Sequence, residues 1–339
     1  MLNQVGRLQI TNAIFSALTT FYMCTLELPK TVIKQIDKFR KHCLWRGSNI
    51  NGRTQPKAAW EMVCVPKEGG LGVINIEIQN QALLMKNLDK FFNRRDIPWV
   101  NLIWEKHYKN GKLPSHVKKG SFWWRDVLKL LSDFKGLAVI QIRNGQTCFF
   151  WKDKWLNIPL EQNFHEIHSF AKNKLITVNR AFSQDTIIGM FNLPLSQTAF
   201  TQMQNLQQIM EATTLENSDD IWSYNGGSNR FSTSRTYRKL IGHQPTDPAF
   251  KWVWKSYCQP KHKVFCWLLL KDRLSTRNIL RIKHMELDSY DCELCSVGVE
   301  ESTDHVFLQC PFAQQCWGLI NLTTSLHSGT LENFNCLKN

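Results

Sequence analysis

A chain of 339 residues with 43% hydrophobic side chains is long enough for two or three modest domains, and it carries a formal charge of +14. Its 11 cysteines are odd in number, scattered and preceded by no secretory signal, which argues for reduced thiols in an intracellular compartment. No apolar run approaches the roughly 20 residues that cross a bilayer, so neither a membrane span nor a targeting peptide is expected.

The charge is unevenly placed. Residues 1–125 hold 20 Lys/Arg against 8 Asp/Glu, whereas residues 126–249 hold 12 against 11. Residues 250–283 carry nine basic residues and one acid, and residues 284–339 carry one basic and eight acidic. Two separate basic regions suit a polyanion, nucleic acid above all; the rival reading is a merely soluble basic face. The 13 tryptophans make base stacking available, although most of these rings are expected in the core.

In chain order, residues 4–27 show a loose helical period through Val5, Leu8, Ala13, Phe15, Leu18 and Tyr22. Pro29 opens a cleaner segment. Val32, Ile33, Ile36, Phe39, Cys43 and Leu44 are expected on one side of a helix, with Lys30, Lys34, Lys38 and Lys41 opposite and Gly47 as the stop. That basic face is either solvated or a track for phosphates. Residues 52–72 are irregular, and the loop Gly69-Gly70-Leu71-Gly72 lacks both the Gly-Lys-Ser/Thr of a P-loop and a dinucleotide fingerprint. Helices are predicted over 76–93 and 99–108, then a basic linker over 109–120 with Lys109, Lys112, Lys118 and Lys119. Ser121 is placed to cap a short amphipathic helix. Residues 137–142 and 147–151, joined across Asn144-Gly145, predict a β-hairpin. Residues 160–229 are weakly patterned and expected to be peripheral; a strand-like piece at 229–233 leads into a helix ending near Gly242, and Pro245 and Pro248 mark a boundary.

Three short helices are predicted near 249–257, 261–271 and 275–283, with Trp252, Val253, Phe265, Trp267, Leu268 and Leu269 as core candidates. They lead into Cys292-Glu293-Leu294-Cys295, then His305, then Cys310, which spell C-x2-C-x9-H-x4-C. Two cysteines two residues apart can turn both sulfurs toward one ion, and the spaced His and Cys complete four N/S ligands for tetrahedral zinc. The alternative is buried thiols and a chance histidine. Three thiolates and an imidazole leave no open position for a reactive water, so one Zn2+ is expected to be structural. Ser302 or Thr303 is expected to cap a helix bearing His305, and Pro311 to open a closing helix.

Familiar catalytic signatures are missing from the sequence. There is no aromatic-x-Asp-Asp hairpin, G-x-S-x-G elbow or H-E-x-x-H; Asp219-Asp220 is expected to be a solvated turn or a helix-start pair.

The block from Trp252 to Trp317 resembles the zinc-binding domain at the carboxyl end of plant non-LTR (LINE-type) reverse transcriptases. The matching features are Trp252 and Trp254, the P-K-x-K-x-F-x-W-x-L run from Pro260 to Leu269, the L-x-T-x-x-x-L run from Leu274 to Leu280, and the Cys/His set. Upstream, Gly6-Arg7-Leu8, Leu44-Trp45-Arg46-Gly47, Cys64-Val65-Pro66-Lys67 and Gly69 to Gly72 resemble the region after the polymerase palm. The run Phe150-Trp151-Lys152-Asp153-Lys154-Trp155 resembles the connector.

This resemblance implies a mainly α fold with small β elements (α+β): a thumb-like helical region over 1–110, a connector with a β-hairpin over 121–245, and a helical zinc-binding domain over 250–322. It implies a catalytically incomplete fragment, not an enzyme by itself, because the palm aspartates would lie upstream. RNA and/or DNA would be held through backbone contacts, with Lys34, Lys38 and Lys41 on template–primer phosphates and Lys261, Lys263, Arg273 and Arg277 nearest the anion in the zinc region. Cys292, Cys295, His305 and Cys310 would hold the zinc, and nuclear residence would follow. No small-molecule substrate is expected, and protein partners stay open. Two alternatives stand beside this: a zinc-stapled protein-interaction or structural module, in which the acidic surface of 284–339 meets a basic partner, and a non-functional product of a decayed element.

Overall fold

The computed structural model describes residues 2–47, 56–67, 69–108, 112–115, 120–224, 230–242, 247–322 and 329–336. Lys109, Lys118 and Lys119 of the expected linker, and Asn229 and Pro245, lie outside these residues. The fold is mainly helical, with one two-stranded antiparallel sheet among the described residues, in agreement with the predicted class.

The chain forms two compact units: Met1–Thr19, Pro29–Ile76 and Ile241–Asn339 make one, and Thr20–Leu28 with Glu77–Leu240 make the other. They do not follow the three consecutive segments read from the sequence. The reason lies in the first unit's core. Phe250, Val264, Trp267 and Leu268 of the helices Pro248–Lys255 and Pro260–Leu270 pack with Leu8, Leu44, Trp60, Val63, Leu71 and Val73 from the amino-terminal region. The carboxyl-terminal helices therefore bury their apolar faces against residues some 200 positions earlier. Trp252 and Phe265, expected in the core, are instead partly exposed, at 38% and 43%. The buried stripe of Pro260–Leu270 runs through Val264, Trp267 and Leu268, and Phe265 falls beside it, its ring 5.9 Å from that of Phe307.

The glycine loop is explained by this core. The N–H groups of Gly69 and Gly70 donate to the Pro66 carbonyl, and that of Gly72 to Val65. A Cβ on Gly70 would lie 2.3 Å from the Val65 carbonyl oxygen and 2.5 Å from that of Met62, so only glycine lets the turn close. The turn then presents the Gly69 carbonyl to the fully buried Trp267 indole N–H, which donates to it at 3.0 Å.

The helix Lys30–Trp45 forms as predicted, but its buried side is different. Ile33, Arg40 and Leu44 face inward, while Val32 and Phe39 are exposed. The Arg40 guanidinium is fully buried: it pairs with Asp37 at 2.7 Å, donates to the Ser16 hydroxyl at 3.1 Å and to the Ile74 carbonyl at 2.6 Å, and lies 5.3 Å over the Trp60 ring. A charge can occupy the core because every strong contact there is an acceptor or an aromatic face. The rotation leaves Lys34 and Lys38 exposed but brings Lys41 to 5.6 Å over the same Trp60 ring, half-buried.

In the second unit, the helix Ile76–Phe92 supplies Leu84, Met85, Leu88, Phe91 and Phe92 to an aromatic core. Phe91 stacks on Trp104 of Pro98–His107 with centroids 4.4 Å apart, and the Trp104 indole donates to the Phe91 carbonyl at 3.0 Å. Ser121 caps Phe122–Lys129 as expected, its hydroxyl accepting from the Trp124 N–H. Residues 160–229 are not peripheral: Leu160, Ile167, Val178, Ala199 and Leu206 are all buried in this core.

The expected hairpin is not formed. The strand Ala138–Gln141 pairs with Ile221–Tyr224, placing Ala138 opposite Tyr224 and Gln141 opposite Ile221. Residues 147–151 turn instead toward 176–178, with Phe150 N–H donating to Ile176 and Val178 N–H to Cys148. Asp220 is the physical cause. Its buried carboxylate accepts from the N–H groups of Arg143, Gly145 and Thr147 at 2.8, 2.8 and 2.9 Å and from the Thr147 hydroxyl at 2.9 Å, bending the Asn-Gly segment around itself. The aspartate expected to be solvated is thus a structural anion, and only Asp219 lies at the surface, accepting from Asn144. Asp220→Ala would strand these buried donors and should destabilise this unit by about 3 kcal/mol in urea denaturation. A change under 1 kcal/mol would contradict that role.

Candidate metal centre and basic surfaces

The tail from residue 277 onward folds by local rules. After the helix Arg277–Ile282 the chain makes a tight hairpin in which Asp291 bridges Glu300, Cys292 N–H donates to Val299 at 2.9 Å and Glu301 N–H to Tyr290 at 2.9 Å. Gly298 turns it with φ +71°. Cys292 and Cys295 sit on this hairpin. The following turn places His305, whose N–H donates to the Ser302 hydroxyl at 3.1 Å, which bears out the predicted cap. Cys310 occupies the position immediately before Pro311–Leu319, the closing helix, with Pro311 in its first turn.

These four side chains converge. The sulfurs of Cys292, Cys295 and Cys310 and a ring nitrogen of His305 all lie within 4.8 Å of one another, and Cys295 Sγ stands 3.4 Å from His305 Nε2. Tetrahedral zinc, with Zn–S about 2.3 Å and Zn–N about 2.0 Å, sets its sulfur and nitrogen ligands about 3.5 Å apart and its sulfurs about 3.8 Å apart. The donor set and its spread fit that ion. Three of the four residues are buried and Cys295 is half-buried, so the cluster is closed toward solvent.

The thiols are not equivalent. Burial pushes the Cys292 thiol up to about 11. Burial also opposes ionisation of Cys310, but the N–H groups of Phe312 and Ala313, together with the neighbouring thiols, more than offset it and hold Cys310 below the ordinary thiol value. A sulfur at a helix start among backbone N–H groups is biased toward the thiolate, which is the form that binds metal.

Residues 231–317 match the family described as zinc-binding in reverse transcriptase. All four converging ligands lie inside that match. A putative ribonuclease H protein of Arabidopsis thaliana is 26% identical over an alignment taking in 93% of this chain and 52% of the relative, so the chain spans about half the length of that curated relative. Together the two likenesses indicate a retrotransposon-like protein.

Within the matched segment, the basic residues singled out from the sequence have different fates. Arg277 is engaged internally: its side chain pairs with Glu293 and with Glu301 (3.7 Å) and donates to the Ser289 carbonyl at 3.0 Å, while its N–H donates to the Glu301 carboxylate at 3.1 Å. Arg281 likewise donates to Glu300 at 2.9 Å. Two arginines four apart on one helix thereby fasten the metal hairpin, and the opposite charges of 250–283 and 284–339 partly neutralise each other within the chain. Lys263 donates to the Trp254 carbonyl at 2.9 Å and Arg273 to the Asp272 carbonyl at 2.9 Å, whereas Lys261 is exposed. Beyond the ligands, Asp272 accepts from the Thr303 hydroxyl at 2.6 Å and Asp304 from the Thr330 N–H at 2.9 Å, fixing the start of the helical segment that carries His305.

One group of cations was missed. Arg230, Arg235, Arg238 and Lys239 line a cleft of about 230 Å³ in the second unit. Averaging charge over 126–249 hid them; the signal was the local one, a stretch from 221 to 246 with no acidic residue.

Among the described residues no helix is long and apolar enough to cross a membrane.

Proposed function

We propose that this chain is a portion of a plant LINE-type retrotransposon reverse transcriptase that binds nucleic acid through phosphate contacts and is organised at its tail by one structural zinc ion. The observation that carries this is the closed Cys292/Cys295/His305/Cys310 cluster inside the matched segment. When bound, zinc supplies cross-linking of the hairpin to the closing helix; three thiolates and an imidazole fill its coordination sphere, which leaves no place for an activated water. The chain's own residues do the rest: Arg277 and Arg281 hold the hairpin by ion pairs, and the backbone N–H groups of Phe312 and Ala313 favour ionisation of Cys310.

The anion contacts in this proposal fall to the exposed Lys34, Lys38 and Lys261, with Lys41, Lys263 and Arg273 as flanking charges. Arg277 takes the positioning role described above. The polymerase step is assigned to other parts of such an enzyme, since Asp220 is saturated by four donors and offers no free carboxylate for a catalytic ion. Nuclear residence is part of the same proposal. The rival acidic-surface module is weakened because Glu293, Glu300 and Glu301 are engaged by the two arginines.

Fluorescence anisotropy with a labelled oligonucleotide tests the binding. If six or more phosphates are engaged, raising salt from about 50 to 200 mM should weaken affinity by roughly 1,000-fold. Lys34→Ala/Lys38→Ala should flatten that dependence. A wild-type affinity indifferent to salt would remove the proposal.

A further inference from the structure

The cleft in the second unit carries an inference beyond those contacts. Arg235, Arg238 and Lys239 belong to the eight-residue helix Thr233–Leu240. Spacings of three and four put their side chains on adjoining positions, where like charges repel unless an anion lies between them. Among the described residues none of these three makes an ion pair, and all three are exposed. Their cleft has an uncharged floor. Leu137 and Tyr224 form it, with Ser232 and Thr236 on the wall. The Tyr224 hydroxyl is already committed to Asp89 at 3.0 Å, and Phe231 meets the ring edge-on at 5.1 Å, so what Tyr224 has left to offer a ligand is ring surface.

Cations around an aromatic and apolar floor suit a ligand that is anionic at regular intervals and flat between them. Phosphates alone would need no such floor, and paired bases have no free face to lay on it. We propose that this cleft binds a single-stranded stretch of nucleic acid, with Arg235, Arg238 and Lys239 on successive phosphates and a sugar or base against Tyr224 and Leu137. The assignment rests on the nucleic-acid reading given under Proposed function but concerns residues of the second unit, whereas Lys34, Lys38 and Lys261 belong to the first.

The test uses the full chain, a labelled single strand of about 20 nucleotides and a duplex of the same length, each titrated with salt. Replacing all three cations (Arg235→Ala/Arg238→Ala/Lys239→Ala) should lower the slope of log affinity against log salt by about 2 for the single strand, at roughly 0.7 per lost contact, with little change for the duplex. Arg235→Lys/Arg238→Lys should keep the wild-type slope, which separates lost charge from lost folding. An unchanged single-strand slope in the triple variant, beside salt-dependent wild-type binding, would overturn this site and leave the wider reading intact. An equal fall for duplex and single strand would overturn the single-strand assignment. Displacement of the strand by millimolar AMP at constant ionic strength would assign the cleft to a free nucleotide instead. Absence of any wild-type binding would overturn both readings.

Discussion

Cys292→Ser is expected to melt the chain's tail while the second unit stays folded. The four ligands come from two pieces, a hairpin and a turn-plus-helix, joined by few apolar contacts: Cys292, Cys310 and Ala313 are the buried centre of this cluster, with Cys295, Val306 and Trp317 beside it. The clusters around Phe91 and around Trp267 are built of many apolar side chains, whereas this one consists largely of the ligands themselves. In small zinc modules the metal contributes on the order of 10 kcal/mol, far more than these contacts could replace. Hydrogen exchange should therefore show residues 289–319 losing protection in Cys292→Ser, and again in Cys310→Ser. The second unit, whose aromatic core is separate, should keep its protection. Retained protection across 289–319 in both variants would refute the role.

Trp267→Ala is expected to have the largest effect away from the metal. The indole is fully buried, packs with Trp60, Leu71 and Leu44, and is the donor to Gly69. Removing it opens a cavity and leaves a buried carbonyl without its donor, for a loss of about 4–5 kcal/mol in the first unit. Gly70→Ala should act on the same junction from the other side, because its new methyl group meets two backbone oxygens that cannot move independently. Urea denaturation followed by tryptophan fluorescence would measure both. The same packing predicts that residues 250–322 expressed alone will not fold stably even with zinc, since Phe250, Val264, Trp267 and Leu268 would lose the amino-terminal residues that cover them. A cooperative melt of that fragment would contradict this.

What the sequence made legible follows the range of the interactions concerned. The metal ligands lie within 19 residues, and their spacing alone specified the cluster that the structure assembles. The helices Lys30–Trp45, Ile76–Phe92, Pro98–His107 and Pro260–Leu270 were visible because periodicity and caps are local. The failures were non-local. Ala138–Gln141 pairs with a strand some 80 residues away, and Asp220, which redirects the Asn-Gly turn, could not be seen from the turn itself. Arg40 can be buried because Ser16 and Ile74, 24 and 34 residues away in sequence, supply its acceptors. Arg277 carried the right charge for an anion, yet its partners lie on the hairpin that the metal organises.

The account stands most directly on the metal content of the purified chain, measured by mass spectrometry together with thermal melts before and after chelation. One zinc per chain, and a marked loss of tail stability when it is withdrawn, is the expected result. A metal-free chain with residues 289–319 fully ordered, or identical melts with and without the chelator, would contradict it.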